Sequence, residues 1–204
     1  MVNYKLSYFN SRGFAEPARM IFALAEVPFE DVRFEREGYN RADWPFGKVP
    51  VLEVDGKRLP ESTAIIRFLA RRHGLAGRDE WEAAEIDAIV DLWKDFFQEI
   101  YRYFHMVVGL QEGDKEAVRK AEYLPALERY VPVMERVLRE SGNGFVHPSG
   151  LTWADLVAAN FFFQWRKFFG DDFARMTALN EHCDRVHSLP KICEWVAKRP
   201  VTKF

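Results

Sequence analysis

The pattern of apolar and polar positions predicts a small α/β unit in the first third of the chain. Short strands are predicted where such positions alternate or where β-branched residues cluster, at residues 4–9, 29–34, 51–54 and 57–59. Apolar residues recur at helical spacing over residues 15–25 and 62–74. Asp55-Gly56 is typical of the two-residue turn of a β-hairpin, so the last two strands are predicted to pair. The predicted element order is βαβ followed by ββα.

The middle of this unit indicates a binding site. Val49-Pro50 stands directly before the third strand, where a cis peptide bond is possible and no ladder N–H is lost. Ser62 is predicted to cap the following helix, whose positive N-terminus can hold an anion. A proline-led strand, a tight hairpin and a capped helix predict the second half of a thioredoxin-like domain. The sequence therefore predicts a site for a small peptide that carries carboxylates.

The rest of the chain predicts helices only. Residues 81–108 contain no Gly and no Pro, and this run of 28 residues would form a helix about 42 Å long. A second long helix is predicted over residues 115–140, kinked at Pro125 and Pro132.

Shorter helices complete the helical part. Thr152 and Asp155 match the capping box of a helix predicted to end at Gly170, and further helices are predicted over 173–181 and 189–198. The predicted fold class is α/β plus all-α, with an α/β domain over residues 1–77 and a helical domain over 78–204.

Composition and charge narrow the class of protein. The net charge of −2 argues against nucleic acid and anionic membranes as partners. The sequence contains no apolar run of 18 residues, and its first residues lack the apolar stretch expected of a signal peptide. Its two cysteines, Cys183 and Cys193, match no metal or redox spacing. We therefore expect a cytoplasmic protein with reduced thiols.

Several motifs taken together resemble a cytosolic glutathione S-transferase of the sigma class. They span most of the chain: residues 4–10, 46–56, 75–77, 87–91 and 151–155. The resemblance implies a homodimer with glutathione as co-substrate and a small hydrophobic electrophile as second substrate. It implies that the Tyr8 hydroxyl activates the glutathione sulfur. A phenol with a pKa near 10 stays protonated at neutral pH and can donate to the thiolate.

The resemblance also implies a set of glutathione contacts. Val49, beside cis-Pro50, would pair its backbone with the cysteinyl unit, and Lys48 would lie along the peptide. Arg41 stands at the place of the family lysine that grips the glycyl carboxylate. The γ-glutamyl end would be held by residues of both subunits: Glu61, Ser62 and the partner-facing Asp95.

The sequence departs from the sigma pattern in two places that bear on the site. Phe14 replaces the second arginine of the family's Arg-Gly-Arg, which removes one cation and adds an apolar wall. The segment before Pro45 is about two residues short, so the family tryptophan there lacks a counterpart, and Tyr39 is the candidate replacement. The residues implied to line the electrophile pocket are Phe9, Phe14, Tyr101, His105 and Phe204.

Alternatives remain open for the chemistry. The same thiolate could isomerise prostaglandins or reduce lipid peroxides, and a weakly catalytic carrier of haem or other lipophiles would share the fold. A crystallin-like structural role is also known for the class. Like charges spaced four apart on the long helix, Asp87, Asp91 and Asp95, could instead be a solvated face. Lys94 occupies one of the acidic positions at which related synthases bind a divalent cation, so no metal is expected.

Overall fold

The computed structural model describes residues 2–202, which form two compact units. One unit comprises residues 2–76 together with residues 187–202, and the other comprises Gly77–Val186. The predicted division into domains 1–77 and 78–204 stays a prediction. The structure adds that the end of the chain groups with the first unit.

The first unit is built on a mixed four-stranded sheet. Its strands are β1 (Tyr4–Phe9), β2 (Glu30–Phe34), β3 (Val51–Val54) and β4 (Lys57–Pro60). The order across the sheet is β2-β1-β3-β4, with β1 parallel to β2 and antiparallel to β3, and β4 antiparallel to β3. This is the thioredoxin-like arrangement that the sequence predicts.

The hairpin between β3 and β4 forms as predicted. Asp55 and Gly56 both have positive φ, +48° and +83°, which a type I′ turn requires. The Asp55 side chain accepts a hydrogen bond of 2.9 Å from the backbone N–H of Asn3, which ties the turn to the start of β1. The turn therefore fixes the register that places Val54 opposite Lys57.

Two helices of this unit follow β1 and β4. A single 3₁₀ turn, Gly13–Ala15, leads into α1 (Glu16–Leu24), and α2 is Ser62–Arg72. The α1 helix buries almost its whole first two turns, including the charged residues Glu16 and Arg19. Gly74, with a φ of +72°, follows the C-terminal end of α2, where a left-handed residue is common.

The remaining helices of the chain begin with one long element. The helices are α3 (Glu80–Val107), α4 (Lys115–Val118), α5 (Leu124–Ser141), α6 (Trp153–Phe168), α7 (Gly170–Phe173), α8 (Thr177–His187) and α9 (Pro190–Lys198). The α3 helix has 28 residues and starts at an Asp79 cap, so its predicted length is confirmed and its ends differ by one residue. The capping box of Thr152 and Asp155 at the start of α6 is also confirmed.

Three helix boundaries differ from the prediction. The helix predicted over 115–140 contains a π-helical turn at Arg119–Tyr123, and α5 begins immediately before Pro125. Pro125 has no N–H to donate, which favours a change of hydrogen-bond register there. Gly170 begins α7 instead of ending α6, and the helix predicted over 173–181 starts four residues later. Local sequence pattern places such short helices poorly because packing decides their ends.

The C-terminal helix α9 packs on α1 within the first unit. Ile192 of α9 is fully buried, and the Trp195 ring lies 6.2 Å from that of Phe29. Lys191 forms an ion pair of 2.8 Å with Glu26, just beyond the C-terminal end of α1. The loop between β1 and α1 therefore belongs to the same packed unit as residues near the end of the chain.

Candidate active site

Tyr8 lies near the carboxyl end of β1, where the chain turns into the 3₁₀ turn before α1. Its side chain is 6% exposed. The backbone N–H of Phe14 donates a hydrogen bond of 3.3 Å to the Tyr8 hydroxyl oxygen. This bond occupies an acceptor position of the oxygen and leaves the phenolic proton available for another acceptor.

Gly13 allows the loop to approach this hydroxyl. Its φ is +41°, in the left-handed region that side chains disfavour. A Cβ atom at this position would stand 2.6 Å from the Tyr8 hydroxyl oxygen and 2.9 Å from its Cε1 atom. Only glycine therefore fits beside the phenol in this conformation.

The protonation state of Tyr8 follows from its surroundings. Burial raises the pKa of Tyr8, while the Phe14 N–H, the charges of Arg36 and Arg19, and the Ser11 side chain act in the lowering direction and only partly oppose it. Tyr8 is therefore protonated at neutral pH. It can serve as a hydrogen-bond donor to an anion and not as a base.

A buried network of charges supports the loop, and the sequence analysis did not find it. Arg19 is fully buried and donates to the backbone oxygen of Ser11 at 2.8 Å, to Glu16 at 3.2 Å and to Asp31 at 3.0 Å. The signal that could have revealed it is the spacing of Glu16 and Arg19, an i, i+3 ion pair on a largely apolar helix.

The cis-proline loop forms the next part of the site. The Val49–Pro50 peptide bond is cis, as the sequence suggested, and Pro50 is buried. Lys48 is exposed, and Arg41 is exposed with its Cβ 3.5 Å from where a Gly47 side chain would begin. Two exposed cationic side chains thus belong to this loop region, Lys48 directly before Val49 and Arg41 next to Gly47.

An aromatic cluster holds the short segment before this loop. The Tyr39 hydroxyl donates to the backbone oxygen of Gly47 at 2.9 Å. Trp44, which the sequence analysis overlooked although it directly precedes Pro45, stacks on Phe34 with ring centroids 5.1 Å apart. The guanidinium of Arg58 lies 5.4 Å from the Trp44 ring and donates to the backbone oxygen of Asp43.

The start of α2 differs from the prediction in one respect. Ser62 is the first residue of the helix and not its cap, because Glu61 occupies the cap position and no side-chain capping bond forms there. Glu61 has a φ of +70°, an unusual conformation for a residue with a side chain. Such backbone strain is often found at ligand-binding positions. Both side chains remain at the positive end of the helix.

The predicted residues of α3 lie in the second unit. Asp95 is exposed. Tyr101 is 43% exposed, and its ring centroid lies 3.8 Å from that of His105. Of the predicted pocket residues in the first unit, Phe14 is 49% exposed and the Phe9 ring lies 5.5 Å from that of Tyr8. Phe204 lies outside the described residues.

Comparisons with known proteins match both parts of the chain. The N-terminal domain of glutathione S-transferases matches residues 4–71, and the C-terminal domain of the same family matches residues 94–199. Glutathione S-transferase 1 of Ascaris suum is 41% identical over 206 residues, covering all of both chains. The chain belongs to the glutathione S-transferase family of enzymes.

Two solved structures of transferases have the same fold over their full length. A Nu-class transferase from Haemonchus contortus is 41% identical with a TM-score of 0.89, and each chain is covered completely. A monomeric transferase from Necator americanus, Na-GST-3, is 39% identical with a TM-score of 0.92, covering 99% of this chain and all of its own. These similarities confirm the family but not the predicted sigma class, which stays a prediction.

The co-substrate of the family is the kind of ligand that the sequence predicts for the peptide site. The family uses glutathione as a co-substrate together with electrophilic substrates, and glutathione is a small peptide with two carboxylates. Within residues 2–202, no helix is long and apolar enough to cross a membrane. In the same part of the chain, no group of three His, Cys, Asp or Glu side chains is placed to hold a metal ion.

Proposed function

We propose that this transferase conjugates the thiolate of glutathione to hydrophobic electrophiles, with Tyr8 as the catalytic residue. The observation that carries the proposal is the Tyr8 hydroxyl, which is buried, protonated and held by the Phe14 N–H at the end of β1. A phenol in this state donates a hydrogen bond to a sulfur anion that lies against it. The hydrogen bond favours the thiolate over the thiol.

The free energy needed to lower the thiol pKa is similar to the contribution of one such hydrogen bond. Lowering the pKa of a thiol from about 8.5 to about 6.5 requires roughly 2.7 kcal/mol of differential stabilisation. A hydrogen bond to a charged group contributes about 1.5–3 kcal/mol. Tyr8 can therefore nearly suffice, although Phe14 stands where related enzymes have a cation.

The reaction needs no covalent intermediate with the enzyme. The thiol proton leaves to solvent while the Tyr8 O–H donates to the sulfur. The sulfur lone pair then forms a carbon–sulfur bond with the electrophile, and the leaving group departs with its bonding electron pair. Catalysis then rests on thiolate stabilisation and on holding the two substrates together.

We assign the glutathione contacts to the residues around the cis-proline loop. The Val49 backbone beside Pro50 would pair with the cysteinyl unit, Lys48 would lie along the peptide, and Arg41 would face the glycyl carboxylate. The exposed cationic side chains of Lys48, which follows Gly47, and of Arg41, which lies close to Gly47, support this assignment. Trp44 and Tyr39 together would replace the family tryptophan by holding this segment in place.

The γ-glutamyl end is assigned to the start of α2. The Ser62 hydroxyl and the N-terminal N–H groups of the helix would hold the carboxylate, and the Glu61 carboxylate would pair with the ammonium group. The positive φ of Glu61 supports a role in ligand binding. Asp95 would reach the same ammonium group in a partner subunit, which makes a homodimer part of the proposal. Because a relative is monomeric, light scattering at several protein concentrations should settle the assembly.

The second substrate is proposed to be a small apolar electrophile. Phe14, whose N–H contacts the Tyr8 hydroxyl, offers a half-exposed aromatic ring, and Phe9 packs against the Tyr8 ring. Tyr101, His105 and Phe204 stay predictions from the sigma-class resemblance. Prostaglandin isomerisation and peroxide reduction would use the same thiolate. Neither Cys183 nor Cys193 is in a disulfide, which supports the expected cytoplasmic location.

The thiol of bound glutathione provides the test. Ultraviolet titration of thiolate absorbance should give a bound pKa about 2 units below the ordinary thiol value of about 8.5. The Tyr8→Phe variant should raise that pKa and lower conjugation at neutral pH by about tenfold or more, with little change in glutathione affinity.

Tyr4→Phe is the matched control. Tyr4 lies on the same strand and is equally buried, but it packs on Phe22 at the other end. An unshifted thiol pKa in the wild-type enzyme, combined with saturable haem binding, would instead favour the lipophile-carrier role.

A further inference from the structure

We propose that α9 positions the catalytic tyrosine through a clasp formed by Glu16, Trp195 and Arg199. These three residues do not touch substrate. They hold the loop between β1 and α1, and through it the Tyr8 hydroxyl, in the geometry that stabilises the thiolate. The inference rests on the role proposed above for Tyr8.

The clasp converges on one buried carboxylate. Glu16 is fully buried, and its Oε1 atom accepts hydrogen bonds of 2.7 Å from Trp195 Nε1 and 2.6 Å from Arg199 Nη1. Its Oε2 atom accepts from Arg19 Nη1 at 3.2 Å. A buried charge is tolerated only when it is paired and hydrogen-bonded in this way. The position of Glu16 is therefore fixed by residues about 180 positions later in the chain.

Glu16 and its partner Arg19 in turn fix the loop. The backbone N–H of Glu16 donates to the Arg12 oxygen at 3.1 Å, and Arg19 donates to the Ser11 oxygen at 2.8 Å. Two residues after Arg12, the N–H of Phe14 donates to the Tyr8 hydroxyl. The chain of contacts thus runs from α9 to the phenol without a gap.

The close approach of Gly13 to Tyr8 leaves little freedom in the position of this loop. Space beside the Tyr8 hydroxyl is so narrow that a single added carbon at Gly13 would approach it to 2.6 Å. A small shift of residues 12–14 therefore changes the distance between the Phe14 N–H and the phenol. Such a shift changes the orientation of the hydroxyl without unfolding the sheet.

The charged residues in and around the clasp also favour an anion at Tyr8. Four guanidinium groups, those of Arg12, Arg19, Arg33 and Arg199, are grouped with only two carboxylates, those of Glu16 and Asp31. The excess positive charge near the loop favours an anion at Tyr8. It offers a source of positive potential in a chain whose Phe14 replaces the family's second arginine.

A second contact between α9 and α1 supplies the control. Lys191 pairs with Glu26 at 2.8 Å beyond the far end of α1, and Glu26 is mostly exposed. This ion pair joins the same region of chain to the same helix but does not reach the loop. A variant that loses it tests helix docking without the clasp.

The experiment compares Arg199→Met and Trp195→Phe with Lys191→Ala in the full-length enzyme. We expect Arg199→Met to raise the pKa of bound glutathione and to lower kcat at pH 6.5 by about threefold to tenfold, with recovery above pH 8.5. The KM for glutathione should stay within about twofold of wild type. Trp195→Phe should cause a smaller shift of the same sign, and Lys191→Ala none.

The outcomes separate the two proposals. If Tyr8→Phe shifts the thiol pKa but neither Arg199→Met nor Trp195→Phe does, the clasp is structural only and the inference fails. If Tyr8→Phe causes no shift, the proposed role of Tyr8 fails first. Should Arg199→Met not fold, Trp195→Phe decides the matter, since it removes one hydrogen bond and keeps an aromatic ring next to Phe29.

Discussion

A Cβ atom on Gly13 would lie 2.6 Å from the hydroxyl oxygen of Tyr8. The loop that follows β1 is therefore in closest contact with the one phenol that the proposed mechanism uses. A buried network on α1 and α9 holds this loop from behind.

Gly13→Ala should lower kcat strongly, in contrast to a glycine substitution that only destabilises the fold. The methyl group would come too close to the Tyr8 hydroxyl and ring, so the loop and the phenol must shift apart. We expect conjugation at neutral pH to fall by about tenfold or more. Gly74→Ala is the control, since Gly74 also has a positive φ, +72°, but no atom lies within 4 Å of an added Cβ. It should destabilise the fold by about 1 kcal/mol and keep kcat near wild type.

Glu16 should make the stability of the enzyme sensitive to acid. Burial raises the pKa of Glu16, but the charges of Arg199 and Arg19 and the hydrogen bonds from Trp195 and Arg199 outweigh burial and leave the pKa below its ordinary value of 4.5. The carboxylate therefore stabilises the folded state at pH values above about 4.5, and this contribution is lost as the pH falls through the lowered pKa.

Glu16→Gln tests that dependence. It should remove most of the difference in Tm between pH 7 and pH 3.5 that this residue causes. At pH 7 it should cost about 3–5 kcal/mol of unfolding free energy, because it removes the buried carboxylate that Arg199 and Arg19 share. Thermal unfolding of both proteins across this pH range makes the comparison. Equal pH dependence in the two proteins would contradict the assignment.

Asp155, the capping-box partner of Thr152, should contribute strongly to the stability of the second unit. Its carboxylate accepts bonds of 2.7 Å from the backbone N–H groups of Thr152 and Val146, and of 2.9 Å from the His182 ring. Asp155→Ala should therefore destabilise by about 3 kcal/mol or more, since it leaves several buried donors unpaired. Asp114→Ala removes a similar cap at an exposed helix and should cost only about 1 kcal/mol. Urea unfolding of the two variants gives both values.

Trp44→Leu should weaken glutathione binding and leave the chemistry intact. The Trp44 indole stacks on Phe34 and also contacts the guanidinium of Arg58. Loss of the indole should therefore loosen the segment that contains Arg41 and Lys48. We expect the KM for glutathione to rise several-fold, with kcat at saturation within about twofold of wild type. Trp81→Leu is the matched control because Trp81 is 74% exposed and lies in the other unit. A loss of kcat with unchanged KM would contradict this role.

Patterns that act over a few residues were predictable from sequence. Alternation predicted the strands, and the absence of Gly and Pro predicted the length of α3. The Asp55-Gly56 pair predicted the hairpin turn, because these residue types tolerate the positive φ angles that the structure shows there. The Thr152 and Asp155 capping box was equally local. The cap of α2 was misjudged by one residue, because the backbone of Glu61 adopts a φ of +70° that no propensity scale anticipates.

The sequence by itself determined the fold class, the strands, the long helix α3 and the cis-proline loop, because those features depend on residues close together in the chain. The roles of the residues around Tyr8 came from the resemblance to a family. Only the tertiary structure decided that α9 returns to α1 and that Trp195 and Arg199 meet Glu16. These residues stand some 180 positions apart, and no local pattern connects them. Burial of a carboxylate makes such distant partners obligatory, because an unpaired charge would not stay in the interior.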